Sequence, residues 1–473
     1  MSKFMFYTTG EHPEELDIYN QSVQTAGNDI VFRVNAGSCD KLVITSDGKY
    51  RVLDLDHDCA DYLRRTFPFS APSKVLRHAK TIGTGDRLGV ACDGHIASVE
   101  GSDFYPVLAQ QSIRELTLTG RSYEAVLDAV TFAVFKNGFK TPWGADGDHL
   151  KTDAEIEYAI SCGYTMITLD SSEKIKTGVE RLSDAELAAI YTPNSELENI
   201  YPGHEFHISS DVTVSFDERT FREAAVIYGE AIDFISEIYS RHIRGAELDF
   251  EISIDETATP TTPEQHFFVA NELARRGVKF DTMAPRFCGE FQKGIDYIGD
   301  LTQFEREFIV HAAIADKFDY KISVHSGSDK FSVFPLVGKL SHGRFHLKTA
   351  GTSWLEAMKL IAKCEPELYR EVHAYALSRF EDAKKYYVVT TDLSKIPALD
   401  TLSDAELPQL FDNNDARQLI HITYGFILGA KDEQENFVYR DRLYAAWRRH
   451  ADEYRDLLAA HIGRHISALD SLI

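Results

Sequence analysis

From about residue 80 onward, short apolar stretches alternate along the chain with longer amphipathic stretches. The short stretches have the length and the residue types of strands, and the longer ones repeat apolar residues with the 3.6-residue period of helices. The predicted strands are 87–91, the segment that leads into Asp148, 166–170, 246–252, 278–284, 320–325, 345–350 and 386–391. The predicted helices are 122–136, 153–161, 263–276, 301–317, 353–364 and 366–383.

This alternation predicts the fold class. Strands followed by helices eight times over are typical of an α/β protein with a TIM-type (β/α)8 barrel. An open, doubly wound sheet is the alternative, but no G-x-G-x-x-G turn marks the dinucleotide site that such sheets often carry. We therefore expect a barrel catalytic domain over residues 81–395.

Three segments fall outside the barrel pattern. Residues 1–80 read as a mixed α/β region, with strands predicted at 29–35, 41–45 and 50–55, a turn at 46–49 and a helix at 57–66. Residues 171–244 form an insertion with helices predicted at 183–191 and 218–241 and a strand at 207–214. Such an insertion either caps the barrel mouth or decorates its periphery.

Residues 396–473 are predicted to be a C-terminal helical extension. Ser403, with Glu406 three residues later, is a plausible N-cap for one helix. Further helices are predicted at 413–427 and 439–468. The extension is a candidate contact in a homo-oligomer.

Bulk composition narrows the classes of function. The chain has 473 residues, of which 44% are hydrophobic and 26% charged, as in a globular protein with a full core. Its formal net charge of −24 argues against nucleic acid or an anionic membrane as a partner, since both need a basic surface. The six cysteines form no C-x-x-C pair, the N-terminus lacks the apolar core of a signal peptide, and no apolar run reaches about 18 residues. We expect a cytoplasmic protein that acts on a small molecule.

The stretch at 140–152 concentrates candidate chemistry. Asp146, Asp148, His149 and Lys151 fall within six residues, among glycines and a proline. A carboxylate beside an imidazole can offer a metal ligand next to a group that transfers protons. The alternative is a solvated polar turn.

Functional residues of barrels lie at the carboxyl ends of the strands and in the loops that follow. His149, His325 and His346 fall on three different predicted strands, and Glu251 falls on a fourth. Three imidazoles, a carboxylate and open positions suit a catalytic divalent metal such as zinc, manganese or cobalt.

Other chemistries have weaker support. Glu247, Asp249 and Glu251 alternate along one predicted strand, so they should share the face that lines the barrel interior, where they could act as a glycosidase acid pair. Ser326 lies in His-Ser-Gly-Ser rather than in the G-x-S-x-G elbow of a serine hydrolase. A sugar-binding barrel without catalytic activity is the non-enzymatic alternative.

Five motifs carry a resemblance to a known family. They are Thr-Pro-Trp-Gly-Ala-Asp-Gly-Asp-His-Leu-Lys-Thr at 141–152, Glu-Leu-Asp-Phe-Glu-Ile-Ser-Ile-Asp-Glu-Thr at 247–257, Ala-Pro-Arg-Phe-Cys-Gly-Glu-Phe-Gln-Lys-Gly at 284–294, Val-His-Ser-Gly-Ser-Asp-Lys-Phe at 324–331 and Phe-His-Leu-Lys-Thr-Ala-Gly-Thr-Ser at 345–353. With these motifs the chain resembles the tagaturonate epimerase family, which includes tagatose 4-epimerases, over essentially its whole length.

The resemblance implies an isomerase of hexuronate catabolism that interconverts D-tagaturonate and D-fructuronate with a divalent metal: zinc, manganese, cobalt or nickel. It implies Asp148 as proton acceptor and Glu251 as proton donor. It further implies His149, His325 and His346 as metal ligands. The alternative within the family is a 4-epimerase of neutral ketohexoses such as tagatose.

An anionic sugar acid needs a cationic partner in this acidic protein. Arg286, Lys348 and Arg87 are the predicted substrate-binding residues, and Lys330 is a fourth candidate. A guanidinium suits a carboxylate, although Arg286 could equally form an internal salt bridge with Glu251 or Glu290.

Overall fold

The computed structural model describes residues 2–7, 13–36, 39–47 and 49–471. The N-terminal region is an antiparallel sheet of six strands: β1 (Ser2–Tyr7), β2 (Pro13–Ile18), β3 (Gln24–Ala26), β4 (Asp29–Ala36), β5 (Cys39–Ser46) and β6 (Lys49–Leu53). The three strands predicted there and the predicted helix, α1 (His57–Thr66), are confirmed. The predicted turn at 46–49 includes Gly48, which lies outside the described residues.

Eight parallel strands close into a barrel, which confirms the predicted fold class. In chain order the strands after β6 are β7 (Lys80–Gly83), β8 (Tyr105–Ser112), β9 (Gly144–Leu150), β10 (Met166–Asp170), the separate hairpin β11 (His204–His207) and β12 (Thr213–Phe216), and then β13 (Asp249–Ile254), β14 (Thr282–Pro285), β15 (Lys321–Val324) and β16 (Phe345–Lys348). The barrel closes where β16 pairs with β7. All eight carboxyl ends therefore meet at one rim.

Two predicted barrel strands are wrong, and two real ones were missed. Residues 87–91 form a loop in which the Asp86 carboxylate accepts three backbone N–H groups at 2.7–2.9 Å. Residues 386–391 lie at the surface, where Val388 is 79% exposed. The barrel uses β7 and β8 instead, so the predicted number of eight is right because the errors compensate.

The described helices after α1 cover most of the barrel exterior and the C-terminal region. They are α2 (Cys92–Val99), α3 (Ile113–Thr119), α4 (Tyr123–Asn137), α5 (Asp153–Ser161), α6 (Asp184–Ile190), α7 (Ser195–Ile200), α8 (Glu218–Ile238), α9 (Pro263–Arg275), α10 (Leu301–Lys317), α11 (Phe334–Leu340), α12 (Thr352–Cys364), α13 (Pro366–Ala383), α14 (Asn414–Ile422), α15 (Tyr424–Gly429), α16 (Arg440–Arg449) and α17 (Ala451–Asp470). All six helices predicted in the barrel pattern are confirmed to within one residue at each end.

Outside the barrel pattern, the predicted type of secondary structure was right more often than the predicted ends of each element. The stretch at 207–214 joins the two strands of a hairpin rather than forming one strand. The helices predicted at 413–427 and 439–468 are each divided in two, with the second break at His450. Ser403 does form a capping box with Glu406, but it opens a 3-10 helix, Asp404–Asp412, that contains Pro408.

The C-terminal helices pack directly on the barrel. The indole N–H of Trp447 donates to the Ala357 carbonyl at 3.1 Å, and the Tyr454 hydroxyl donates to the Ser353 carbonyl at 2.8 Å. Both acceptors lie on α12, the helix that follows the last barrel strand. Among the described residues, no helix is both long enough and apolar enough to cross a membrane.

Candidate active site

A cavity of about 390 Å³ lies at the carboxyl ends of the barrel strands. Five predicted site residues line it: Arg87, Asp148, His149, His325 and Lys348. The predicted residues Glu251, His346 and Arg286 are not among the described residues of its lining. The barrel rim thus brings together most of the predicted site.

A β-bulge places Asp148 and His149 on the same side of β9. Gly147 pairs with Ile167 and Leu150 pairs with Leu169. Two residues of β9, Asp148 and His149, therefore stand opposite one residue of β10, Thr168. The extra residue is His149, whose φ of 55° is left-handed. In a regular strand two consecutive side chains would point to opposite faces, whereas here both reach the cavity.

Lys348 ties three buried carboxylates together. Its Nζ lies 2.8 Å from Asp146 Oδ2, 2.7 Å from Asp148 Oδ1 and 2.7 Å from Glu251 Oε1. Burial alone would lower the pKa of Lys348, but the three carboxylates raise it well above its usual value. With three anionic partners, this ammonium is committed to the protein and is not free to pair with the carboxylate of a ligand.

Asp146 and Asp148 share Lys348, but the pKa values of the two carboxyl groups shift in opposite directions. Burial raises the pKa of Asp146, and both of its carboxylate oxygens lie 3.0 Å from the Thr168 hydroxyl. Burial would raise the pKa of Asp148 as well, but Lys348 and His149 hold it well below its usual value. Asp148 is therefore an ionised carboxylate at the cavity wall, the state that a general base requires.

Glu251 lies on β13 with no exposed surface. Its Oε2 accepts the Thr282 hydroxyl at 2.6 Å, and its Oε1 lies 2.7 Å from His325 Nε2. Burial alone would raise the pKa of Glu251, but Lys348 and His325 hold it well below its usual value. Any proton exchanged between Glu251 and the cavity must pass through a neighbour that reaches the cavity, such as His325 or Lys348.

Asp255 joins two of the predicted histidines in a compact donor set. His149, Asp255 and His325 each offer a ligand atom, and these atoms all lie within 4.8 Å of one another. Asp255 Oδ1 is 3.0 Å from His325 Nδ1 and 3.9 Å from His149 Nε2. The second nitrogen of each ring is held by a carboxylate, since Asp148 binds His149 Nδ1 at 2.8 Å and Glu251 binds His325 Nε2 at 2.7 Å. Two imidazoles oriented in this way, with one carboxylate, fit the donor set of a catalytic divalent metal.

Sequence reasoning missed Asp255, although a signal was present. The strand was predicted to end at residue 252, whereas β13 continues to Ile254. Counting on by twos from Glu251 places Asp255 on the same face, at the carboxyl end where barrels carry their functional groups.

His346 occupies a separate place from the other two predicted histidine ligands. It lies on β16 with no exposed surface, and its Nδ1 is 2.9 Å from the Thr81 hydroxyl. Burial lowers its pKa to about 3, so the ring is neutral. Its Nε2 has no hydrogen-bond partner among the described residues, but it is not part of the set formed by His149, Asp255 and His325.

The two predicted arginines differ in position. Arg87 lines the cavity, where its Nε and Nη2 both contact Glu115 Oε1, at 2.8 and 2.7 Å. Arg286 lies outside the lining; it donates to the Thr257 carbonyl, and its Nη2 is 3.7 Å from Glu290. The internal salt bridge to Glu290 is thus formed, and the one to Glu251 is not.

The acids proposed for a glycosidase do not form a pair in the cavity. Glu247 precedes β13, and its side chain is 90% exposed and pairs with Lys74. Asp249 accepts the backbone N–H groups of Val75 and Leu76 at 2.6 and 2.8 Å. Both acids are engaged in these contacts and neither lines the cavity, so the glycosidase alternative loses its structural basis.

A second buried cluster of acid and imidazole groups was not predicted. Asp329 Oδ1 lies 2.5 Å from His461 Nε2, and the Asp329 backbone N–H donates to His465 Nε2 at 3.0 Å. Arg417 donates to Asp329 Oδ2 at 2.7 Å. Because these atoms already satisfy one another, the cluster serves to fix α17 to the loop after β15, which carries the cavity residue Ser326.

Comparison with known proteins agrees with this architecture. The profile of the UxaE family, the tagaturonate epimerases, matches residues 9–469. The chain is 41% identical over 420 residues to the tagaturonate/fructuronate epimerase of Thermotoga maritima, covering 88% of this chain and 85% of that protein. Two crystal structures of the fructuronate-tagaturonate epimerase UxaE from Cohnella laeviribosi, one with glycerol and one native, are 46% and 45% identical, each with a TM-score of 0.94 and covering 96% of both chains. The chain belongs to the tagaturonate epimerase family.

Proposed function

We propose that this protein is a divalent-metal-dependent epimerase that interconverts D-tagaturonate and D-fructuronate in hexuronate breakdown. One observation carries the proposal: in a member of this family, the ionised Asp148 and the donor set of His149, Asp255 and His325 share a single cavity. Both relatives named above are epimerases of this substrate pair.

The metal would be held by His149, Asp255 and His325. When bound, it supplies Lewis-acid stabilisation of negative charge that develops on a substrate oxygen. Nitrogen and oxygen donors in this mixture suit zinc, manganese, cobalt or nickel. Asp148 and Glu251 would each hold one imidazole ring in place by binding the ring nitrogen that faces away from Asp255. This would be a second role for the two proposed acid–base residues.

Metal binding can be tested apart from activity. Protein stripped with a chelator should take up manganese or zinc, measured by titration calorimetry, and Asp255→Asn should weaken that binding by at least about tenfold. A matched control is Asp316→Asn, on the exposed face of α10, where it pairs with Arg344. Equal affinities of wild type and Asp255→Asn would remove Asp255 from the metal site.

Asp148 is the proposed proton acceptor and Glu251 the proposed proton donor, a role in which Glu251, ionised in the resting site, must first take up a proton. The two ketouronates differ at one hydroxyl-bearing carbon beta to the ketone, so the carbonyl does not strongly acidify that carbon's proton. One route removes this proton and returns one on the other face. The other route is retro-aldol cleavage, rotation of the aldehyde fragment and re-addition, in which Asp148 takes the hydroxyl proton.

The burial of Glu251 bears on the choice of route. A proton from Glu251 to the second face would have to pass through His325 or Lys348, because Glu251 does not line the cavity and these two neighbours do. In retro-aldol chemistry Asp148 takes the hydroxyl proton as the carbon–carbon bond breaks, and it returns that proton to the alkoxide that forms when the bond is made again, so one acid–base residue suffices. Running the reaction in D2O and examining the product by NMR separates the routes: deuterium at the epimerised carbon supports direct deprotonation, and its absence supports cleavage and re-addition.

The competing function is 4-epimerisation of neutral ketohexoses. It requires the same acid–base and metal groups but no partner for a carboxylate. Comparing kcat/KM for D-fructuronate and D-fructose decides between the two. A preference for the neutral ketose would transfer the proposal to that substrate class.

A further inference from the structure

One part of the cavity wall is rich in cationic and imidazole groups that the acid–base and metal roles do not use. Arg87, Arg114, Lys293 and His421 all line the cavity. Lys293 lies close enough to Arg87 and Arg114 for their charges to act on it. The acids whose charges act on these groups are Glu115, Glu256 and Asp329, of which Glu115 is already bound by Arg87 and Asp329 by Arg417.

Lys293 is a cation without a bound carboxylate. Its Nζ donates to the Ser326 hydroxyl at 2.9 Å, and among the described residues the acids Glu256 and Glu115 act on it through their charge and not through a hydrogen bond. Burial lowers its pKa, and the positive charge of Arg87 lowers it further. A carboxylate arriving at this ammonium would offset both effects, since an opposite charge favours the charged form.

Two further polar groups at this place lack partners. Both ring nitrogens of His421 and the Nη1 of Arg87 are buried without a hydrogen bond among the described residues. His421 is fully buried and Arg87 is 4% exposed. Buried polar groups in folded proteins almost always have a partner. Because Arg87 and His421 also line the cavity, a ligand bound there can supply the missing partners.

The absence of a side chain at Gly351 makes space for the His421 imidazole in the wall of the cavity. A Cβ at Gly351, which also lines the cavity, would lie 2.2 Å from His421 Cε1. Any larger residue at 351 would displace the ring. The imidazole is therefore built into the site.

The structure assigns a carboxylate-binding subsite to Lys293, Arg87 Nη1 and His421. This assignment rests on the proposed function, because the ligand group is the terminal carboxylate of the ketouronate. The ammonium provides the charge, and the guanidinium and imidazole provide hydrogen bonds. Lys348, which the sequence predicts as a substrate-binding residue, is held by three carboxylates and orients the acid–base groups instead.

The test is a comparison of anionic and neutral substrates with Lys293→Met, which keeps the aliphatic chain and removes the charge. Removing one charged hydrogen bond should raise KM for D-fructuronate about 10- to 100-fold while kcat changes little. KM for D-fructose should be unchanged. Lys293→Arg should restore part of the D-fructuronate affinity. Lys176→Met, on an exposed lysine paired with Glu230, is the matched control and should behave as wild type.

The outcomes separate the subsite from the proposed function. An equal rise of KM for both substrates, or no rise for D-fructuronate, would overturn the subsite and leave the epimerase proposal standing. If the wild type turns over neither substrate, the epimerase proposal fails, and calorimetric binding of D-fructuronate then tests the subsite. Weaker binding by Lys293→Met would support it, and equal binding or no binding by the wild type would overturn it.

Discussion

Asp148 and His149 are consecutive residues whose side chains reach the same cavity and contact each other, with Oδ1 and Nδ1 2.8 Å apart. The bulge in β9 makes this possible, because His149 adopts a φ of 55° and stands as the extra residue. One local backbone feature thus places the proposed base and a proposed metal ligand side by side.

The left-handed backbone at His149 can be tested with two substitutions. His149→Asn and His149→Val lose the same imidazole contacts with Asp148 and Asp255. Because Asn tolerates positive φ and a β-branched side chain does not, His149→Val should have a free energy of unfolding about 1–3 kcal/mol lower than that of His149→Asn. Both should lose activity through loss of the imidazole. Urea unfolding of the two variants gives the comparison, and equal stability would contradict the conformational account.

Lys348 balances three buried carboxylates, so its removal should be costly. Lys348→Met is expected to lower the free energy of unfolding at pH 7 by about 3–5 kcal/mol, because Asp146, Asp148 and Glu251 are left without their cation. Their pKa values should then lie above those of the unfolded chain. The native variant therefore binds more protons, and its deficit should shrink as pH falls. Urea unfolding between pH 7 and 5 measures this; a pH-independent deficit would contradict the proposed charge balance.

Asp329 is expected to hold the C-terminal helix to the site. Burial alone would raise the pKa of Asp329, but His461 and Arg417 hold it well below its usual value. Asp329 therefore contributes to the stability of the fold at pH values above the usual pKa of an aspartate, and this contribution is lost as the pH falls below that pKa. Asp329→Asn should lower the free energy of unfolding at pH 7 by about 2–3 kcal/mol. Limited proteolysis should then release α17 first. Asp316→Asn is the surface control, and equal proteolysis of both variants would argue against the tie.

His95 should contribute to acid sensitivity. Burial lowers its pKa from 6.5 to about 4, and neither ring nitrogen has a hydrogen-bond partner among the described residues. Between these values the unfolded chain binds the extra proton, so stability falls as pH falls through this window. Replacing the ring in His95→Leu should remove about 3 kcal/mol of that loss. Urea unfolding at pH 7 and pH 4 measures it, with the exposed His204→Gln as control; an unchanged loss in His95→Leu would contradict the assignment.

Elements with both periodicity and terminal signals were predictable from sequence. The helices α5 and α10 begin and end at the predicted residues because a capping Thr152 or Asp300 precedes a regular apolar period. The strand at 87–91 failed because its apolar residues lie in a loop organised by the Asp86 carboxylate, a tertiary contact that periodicity does not record.

The sequence predicts which residues belong to the site but not which side chains contact one another there. The motifs identified Asp148, His149 and His325, which the structure brings to one cavity. The bulge at His149 depends on a register shift against β10, which a single strand's pattern does not contain. Likewise, the sequence predicts that Lys348 binds a substrate carboxylate, but in the fold Lys348 is paired with three acidic side chains that lie far from it in the sequence.

The most direct measurement is the conversion of D-fructuronate by the purified protein, stripped of metal and then supplied with manganese, zinc, cobalt or nickel, followed by NMR. We expect D-tagaturonate to form with at least one metal, no conversion in the chelated protein, and a large loss of kcat in Asp148→Asn. Folded, metal-supplied protein that leaves D-fructuronate unchanged, or an Asp148→Asn variant as active as wild type, would contradict the central claim.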